Sequence, residues 1–286
     1  MSPAKIDVII LARDEEASLP GALQSALPLG PYLGELLVID DHSQDHSAQL
    51  AQAVGARVIP RKLDNFAAQR DFALTQAQSE WVFFLDADER MSSELIVSLK
   101  NVLDSGQPVA GSVKRQVFAF GRRRRFGPLT ADRVTRLFPR TQVRWEGLVH
   151  ERPICPATPL ALGGHLEHHT YADWAEYLAK WRQYSLLWAE QARIAGQTAT
   201  PLKAITRAGL AFLKMFLGRL GILGGPEIWA LCWYHSGYTL SKYLLLSEAR
   251  PTVENPEANP SPPYPIAPAG ALAGPLAKPS RPQDLA

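Results

Sequence analysis

Cysteine is scarce in this chain: two residues in 286, Cys155 and Cys232. They lie far apart and match no metal-ligand or disulfide spacing, which excludes a disulfide-stapled scaffold and makes a reducing compartment the default. The start of the chain lacks a basic segment followed by an apolar core and a cleavage site. No secretory signal is therefore expected, and the N-terminal region is expected to stay in the cytoplasm. Long uninterrupted apolar runs are missing too. The most apolar stretch, 228–246, is broken by His235 and Lys242, so a simple spanning helix is not favoured there. A formal net charge of +2 gives no bulk pull on anionic partners, which leaves only local clusters to provide one. No basic surface interleaved with base-stacking aromatics stands out, so nucleic-acid binding is not expected. There is no internal repeat.

What is present is an ordinary globular composition, 46% hydrophobic and 20% charged, on a length that allows one large domain or one domain with an extension. The chain is organised around 81–90, where Trp81-Val82-Phe83-Phe84-Leu85 runs straight into Asp86 and Asp88. The apolar run is too short for a helix and rich in strand formers, so it reads as a buried parallel strand. Its carboxyl end is where an open α/β sheet gathers its ligands. Two carboxylates crowded there repel unless a cation or a donor sits between them, and a hard ion such as Mg2+ or Mn2+ fits, with Asp88 the best direct ligand. A solvated turn with acidic residues is the plainer alternative. Upstream, strands at 6–12, 36–39 and 56–59 alternate with helices from about 18, at 47–54 and at 65–75. That order predicts a parallel sheet with helices on its faces. The first strand ends near Asp14 and Glu15 and the second at Asp40 and Asp41, so right-handed crossovers bring three acidic strand ends to one edge.

Past 92–94, a helix start, a helix to about 104 precedes a change of character. Strands are expected at 109–120 and 133–138, separated by the basic turn Arg122-Arg123-Arg124-Arg125. That turn reads as solvated, with anionic groups of an acceptor as the alternative. Next comes Trp145-Glu146-Gly147-Leu148-Val149-His150-Glu151, part of a mixed β addition where an acceptor could be held. His165, His168 and His169 offer no clean metal geometry and read as structural. Thr170 and Asp173 read as a capping box opening a helix. On it Trp174, Tyr177, Leu178, Trp181, Tyr184 and Trp188 share one face, which core packing explains. The 202–220 helix carries Lys203, Arg207 and Lys214 on one stripe, and with the aromatic 228–246 stretch it suits an anionic membrane surface. From 250 onward lie 10 of the 23 prolines, and the segment reads as a disordered tail.

These pieces resemble a family 2 glycosyltransferase. More narrowly, the chain is similar to bacterial lipopolysaccharide-core glycosyltransferases of the heptose-modifying β-glucosyltransferase type. The residues that carry the likeness are Asp14-Glu15-Glu16, Val38-Ile39-Asp40-Asp41-His42-Ser43-Gln44-Asp45, Gln69-Arg70-Asp71-Phe72-Ala73, Leu85-Asp86-Ala87-Asp88-Glu89-Arg90, Arg136-Leu137-Phe138 and Gly147-Leu148-Val149-His150-Glu151. Asp14 and Asp71 stand where the family commonly has Asn, and His42 replaces a small residue, departures that bear on donor choice. The resemblance implies a GT-A-like parallel or mixed α/β sheet flanked by helices, followed by a C-terminal helical, membrane-associating extension. The expected division is a catalytic domain at 1–165 (nucleotide-sugar half 1–105, acceptor half 106–165), a helical region at 166–249 and the tail at 250–286. It also implies a hexosyltransferase that uses a nucleotide-sugar donor, a UDP-sugar by preference, with a divalent metal and inversion at the anomeric carbon. The acceptor would be a cell-envelope glycan or glycolipid such as lipopolysaccharide core. The enzyme would work peripherally on the inner face of the cell membrane.

Roles follow for named residues. Asp88 is expected on the metal, and the resemblance puts Asp86 at the ribose and the metal's outer shell. Asp40 and Asp41, joined by Asp14 and Glu15, would hold base or ribose, and Arg70 would reach the diphosphate. A single inverting displacement needs a carboxylate to take the acceptor's proton. Glu151 is expected in that role, with Glu146 and Asp132 as understudies and His150 completing the metal shell or orienting the acceptor. Alternatives are sugar transfer to polyprenyl phosphate and a non-catalytic nucleotide-sugar-binding protein. A phosphatase of the Asp-x-Asp type is excluded, because Arg90 stands where that chemistry wants Thr or Val.

Overall fold

The computed structural model describes residues 3–147 and 151–248. His150 and the proline-rich tail therefore lie outside the described residues. The first half is built from β1 (Ile6–Ala12), α1 (Leu19–Ala26), β2 (Leu33–Asp40), α2 (Ser47–Ala53), β3 (Arg57–Pro60), α3 (Phe66–Gln76) and β4 (Trp81–Phe84). A short β5 (Glu89–Met91) and α4 (Ser93–Ser105) complete it. β3, β2, β1 and β4 pair in parallel in that spatial order, as the alternation of strands and helices requires.

β4 is buried at every position, and so is nearly all of β1. Alternate residues feed two cores. Val8, Ile10 and Phe83 pack with Leu19, Leu23, Leu95 and Leu99 of α1 and α4. Ile9, Val82 and Phe84 pack on the other face with Ala67, Ala73 and Leu74 of α3. Fully burying one such side chain is worth about 1.5–3 kcal/mol, so the centre of the sheet is the least yielding part of the molecule. The acidic strand ends sit on it.

The second half adds β6 (Val109–Ala119), β7 (Arg122–Arg123), β8 (Asp132–Pro139), β9 (Arg144–Glu146), β10 (Arg152–Ile154) and β11 (Thr158–Tyr171). β8 runs antiparallel to both β4 and β6, β11 runs parallel to β6, and β5 closes the far edge antiparallel to β11. The sheet is therefore mixed, with the order β3-β2-β1-β4-β8-β6-β11-β5. β9 and β10 form a separate hairpin on the α3 side.

Three helices follow: α5 (Trp174–Ile194), α6 (Pro201–Leu213) and α7 (Pro226–Ser247), with a π-helical turn, Lys214–Gly218, after α6. They dock on the aromatic end of β6 and β11. Phe120 stacks on Trp174 with ring centroids 4.8 Å apart, and Tyr171 meets Tyr177 edge-on at 4.9 Å. No described helix is long and apolar enough to cross a membrane.

Two sequence expectations are corrected here. The chain does not turn helical at Thr170: β11 continues through Tyr171, crossing position 165, where the catalytic domain was expected to end. The helix opens three residues later than expected, at Asp173. Its carboxylate accepts from the Glu176 N–H at 2.8 Å, while Glu176 accepts from the Ala172 N–H. Thr170 is instead buried in the strand, because Leu166, His168 and Thr170 alternate inward. The basic turn is also not wholly solvated. Arg122 and Arg123 pair with β6, and Arg124 is buried.

Candidate active site

The acidic ends of β1, β2 and β4 meet at one edge, and each is held differently. Asp41, at the end of β2, accepts from Arg13 Nη1 at 2.9 Å and from the Leu63 N–H at 2.8 Å. Asp40 accepts from the Ser43 hydroxyl at 2.5 Å and the Ser43 N–H at 3.2 Å, which folds the turn after β2 back on itself. Asp14 sits at φ 53 and accepts from the Gln44 N–H at 2.7 Å, tying the β1 loop to the β2 loop. Asp and Asn tolerate that left-handed conformation better than most residues, so Asp14 at an Asn position keeps the turn. Between these strand ends a shallow open-sided depression of about 20 Å³ is lined by Leu11, Ala12, Arg13, Ile39, Asp41 and Phe66.

Glu15 parts company with the other three. Burial, then repulsion from Asp88, push its carboxyl up to about 8 against a lowering pull from Lys180. Its carboxyl faces the β4 end and α5, while its N–H donates to the Ser47 hydroxyl at the start of α2 at 2.8 Å.

Asp86 lies on a buried ladder of alternating charge. Arg136 binds one of its oxygens, and Arg70 Nη2 lies 3.5 Å from the other. Arg136 also reaches Glu89 at 2.7 Å, and Arg115 stands 3.4 Å from Glu89 and 2.7 Å from Asp132. Arg70 Nε then lies 3.6 Å from Glu151, and its guanidinium covers the Phe84 and Trp145 rings at 5.2 and 4.7 Å. Burial alone would raise the Asp86 carboxyl, but Arg136, Arg70 and Arg115 outweigh it and hold it well below the usual carboxylate range. Removing one partner of such a buried pair typically costs about 3–5 kcal/mol. The ladder is therefore structural floor as well as chemistry, and it couples Asp86 to Glu151 through one arginine.

Asp88 differs from Asp86 in what it lacks. One oxygen is 3.1 Å from His168 Nε2, while the other is buried with no hydrogen-bond partner. A buried carboxylate oxygen without a donor is costly, and it suits a cation. The carboxylate suits Mg2+ and Mn2+ alike, the imidazole suits Mn2+ better than the harder Mg2+, and both ions readily take their remaining oxygens from phosphate and water. Among the described residues no group of three or more His, Cys, Asp or Glu could hold a metal alone.

The model of the family described as "Glycosyl transferase family 2" matches residues 7–155. The chain belongs to glycosyl transferase family 2. A relative within this group, the lipopolysaccharide core biosynthesis glycosyltransferase LpsC of Rhizobium meliloti, is 27% identical over 239 residues, covering 78% of this chain and 86% of that one. An undecaprenyl-phosphate 4-deoxy-4-formamido-L-arabinose transferase of Pseudomonas aeruginosa is 34% identical over 130 residues, 41% of this chain and 38% of that one. The chain spans only a third to a half of other curated relatives it matches, 35%, 30% and 46% in three cases. Among solved structures, glucosyl-3-phosphoglycerate synthase of Mycobacterium tuberculosis with Mn2+ and UDP-glucose aligns at a TM-score of 0.33 and 24% identity, over 41% of this chain and 44% of that one.

For this family 2 chain, the sequence reading named Asp14, Glu15, Asp40, Asp41, Arg70, Asp86, Asp88 and Glu151, and missed four neighbours. Arg136, Arg115 and Glu89 are buried charges on the ladder, and His168 is the partner of Asp88. The family match ends at 155, before His168. A signal for it did exist. In period two from Leu166, His168 falls on the inward face, where a polar ring needs a reason to be.

Proposed function

We propose that this chain is an inverting, metal-dependent glycosyltransferase that moves a sugar from a nucleotide-sugar donor, a UDP-sugar by preference, to a cell-envelope glycan or glycolipid such as lipopolysaccharide core. The observation that carries the reading is the half-satisfied Asp88 carboxylate against His168, beside an arginine that joins Asp86 to Glu151. Asp88 and His168 would hold Mg2+ or Mn2+. Once bound, the ion would neutralise charge developing on the departing nucleoside diphosphate. Leu11, Ile39 and Phe66 offer the nucleobase an apolar face beside Asp41, and Asp40, one residue earlier, would join Asp41 at the ribose end. Asp86, clamped between Arg136 and Arg70, would stand beside the ion as an arginine-bound carboxylate and not as a direct ligand. Arg70, whose Nε makes no hydrogen bond, would reach the diphosphate with its guanidinium. Glu151 accepts the proton of the incoming hydroxyl, and Arg70 orients it.

Lipopolysaccharide core is preferred as the acceptor because the similarity to LpsC runs through the β11 and helical regions. The likeness to a transferase named for undecaprenyl phosphate covers 41% of this chain and keeps polyprenyl phosphate as the second reading. We assign the work to the inner face of the cell membrane, peripherally. A thermal-shift screen of nucleotide sugars with and without Mn2+ tests the donor side, because a ligand that binds only the native state raises its midpoint. No shift with any nucleotide sugar in the presence of Mn2+ would sink the proposal. A shift without turnover on any acceptor would favour a binding protein.

A further inference from the structure

We infer that the arginine turn at 121–127 and the tip made by α6, the π-helical turn and the start of α7 form one surface that seats on an anionic lipid bilayer. The two parts are latched together. Arg124 Nη1 and Nη2 bind the two oxygens of Glu227 at 2.7 and 3.0 Å, and Arg124 Nε donates to the Ala119 carbonyl at 3.0 Å. The Gly127 N–H donates to the Arg219 carbonyl at 3.0 Å, and Arg219 Nη1 reaches the Thr130 hydroxyl at 3.2 Å. Gly127 itself is at φ 73, and a Cβ there would lie 2.8 Å from Ile228 Cγ2, so the turn rests directly on α7. With Arg124 turned inward to make the latch, Arg122, Arg123 and Arg125 are left exposed beside the tip.

The tip presents apolar side chains to water on a scale that a sealed surface would not. Leu213 is 51% exposed, Leu217 54%, Leu220 52%, Leu223 65% and Trp233 67%. Charge decides the occupant. At the tip, Lys214 and Arg219 stand with Arg122, Arg123 and Arg125 against a single acid, Glu227, and Arg124 neutralises that one. An apolar face with exposed cations beside it, tryptophans within it and no free carboxylate is complementary to acyl chains under anionic headgroups. The surface rests on the peripheral location proposed above only for its biological setting.

The test is co-sedimentation of the full chain with vesicles of phosphatidylcholine alone and of phosphatidylcholine mixed with phosphatidylglycerol, at low and high salt. Binding is expected on the anionic vesicles, weak on the neutral ones, and lost in high salt as the cations are screened. Arg125→Gln should lower affinity about fivefold, the effect of one cation near such a surface, and Arg122→Gln and Arg123→Gln should act alike. Leu223→Ser with Trp233→Ser should weaken binding to both vesicles, because it removes the apolar insertion. All five side chains are exposed, so an unchanged thermal midpoint certifies that the variants fold. Equal binding to both vesicle types, or indifference to the arginine substitutions, overturns the inference. So does a dimer that dissociates on Leu223→Ser in a protein that ignores vesicles, since a second copy would then be the occupant. The Mn2+-dependent midpoint shift with UDP reads the donor site separately. Vesicle binding without that shift would damage only the proposed function, and the shift without vesicle binding only this surface.

Discussion

Asp86 and Asp88 stand one residue apart at the end of β4, and their surroundings sort them. Both oxygens of Asp86 face arginines, whereas Asp88 offers one oxygen to His168 and leaves the other bare. Asp88→Asn keeps the shape and removes the charge. The Mn2+-dependent midpoint shift with UDP should disappear while the unliganded midpoint stays close to that of the parent protein; a retained shift would move the ion elsewhere. Glu151→Gln probes a different step. Positioned proton transfer is typically worth ~10²–10⁴ in rate, so turnover should fall by about that factor with nucleotide affinity nearly unchanged. Collapse of nucleotide affinity in this variant would make Glu151 part of the donor site, acting through Arg70. The same substitution at Glu146 or Asp132 should be milder. Glu146 is tied to Arg144 in a solvent-facing pair, and Asp132 is bound by Arg115. At this scale the acids could be read from the sequence because they close apolar runs. Arg115 and Arg136 could not, because they lie on distant strands that only the fold brings to the β4 end, and for His168 the strand period indicates an inward position but not its partner.

Elements divide along the same line. The parallel half was legible almost to the residue, since each strand is a short apolar run that halts at a charge and each helix follows at crossover length. β11 was not, because its fourteen residues mix glycine, histidine and glutamate and its register with β6 shifts between Ala161 and His165. That shift turns on Gly164. It sits at φ 76, and a Cβ there would fall on the Leu95 backbone nitrogen at the start of α4. Only glycine meets both demands. The irregularity sets the register in which His168 pairs opposite Glu89 and comes within reach of Asp88. Gly164→Ala should therefore cost about 1–3 kcal/mol, as overpacking does, read as a lower unfolding midpoint. It should also weaken the Mn2+-dependent UDP shift although Gly164 touches no ligand. A loss of stability with that shift intact would separate the bulge from the site.

For the molecule as a whole, the C-terminal helices are the part that sequence periodicity described least completely. The aromatic face of α5 does pack as expected, with Tyr177 and Tyr184 buried, yet α7 spends Trp229 and Trp233 on the surface. Periodicity finds a face but does not tell which neighbour covers it, and the docking of α5, α6 and α7 on Phe120 and Tyr171 depends on a long-range contact. The helices carry their own pH dependence through His235 on α7. Burial first, then the charges of Lys242, Arg219 and Lys214, lower its pKa from 6.5 to about 4. In that window the unfolded chain binds a proton that the folded chain refuses, so stability rises with pH from about 4 to 6.5 and is lost as pH falls through it. At about 1.4 kcal/mol per unit the full effect is on the order of 3 kcal/mol. Carboxylates elsewhere contribute to acid unfolding as well, which makes the comparison with His235→Gln the informative one. The substituted protein should hold its midpoint better than the parent between pH 6.5 and 4 and match its slope above pH 7. Parallel midpoint curves for the two proteins across that range would mean that His235 takes up its proton in the folded state as readily as in the unfolded one, and that the helical region owes its acid sensitivity to other groups.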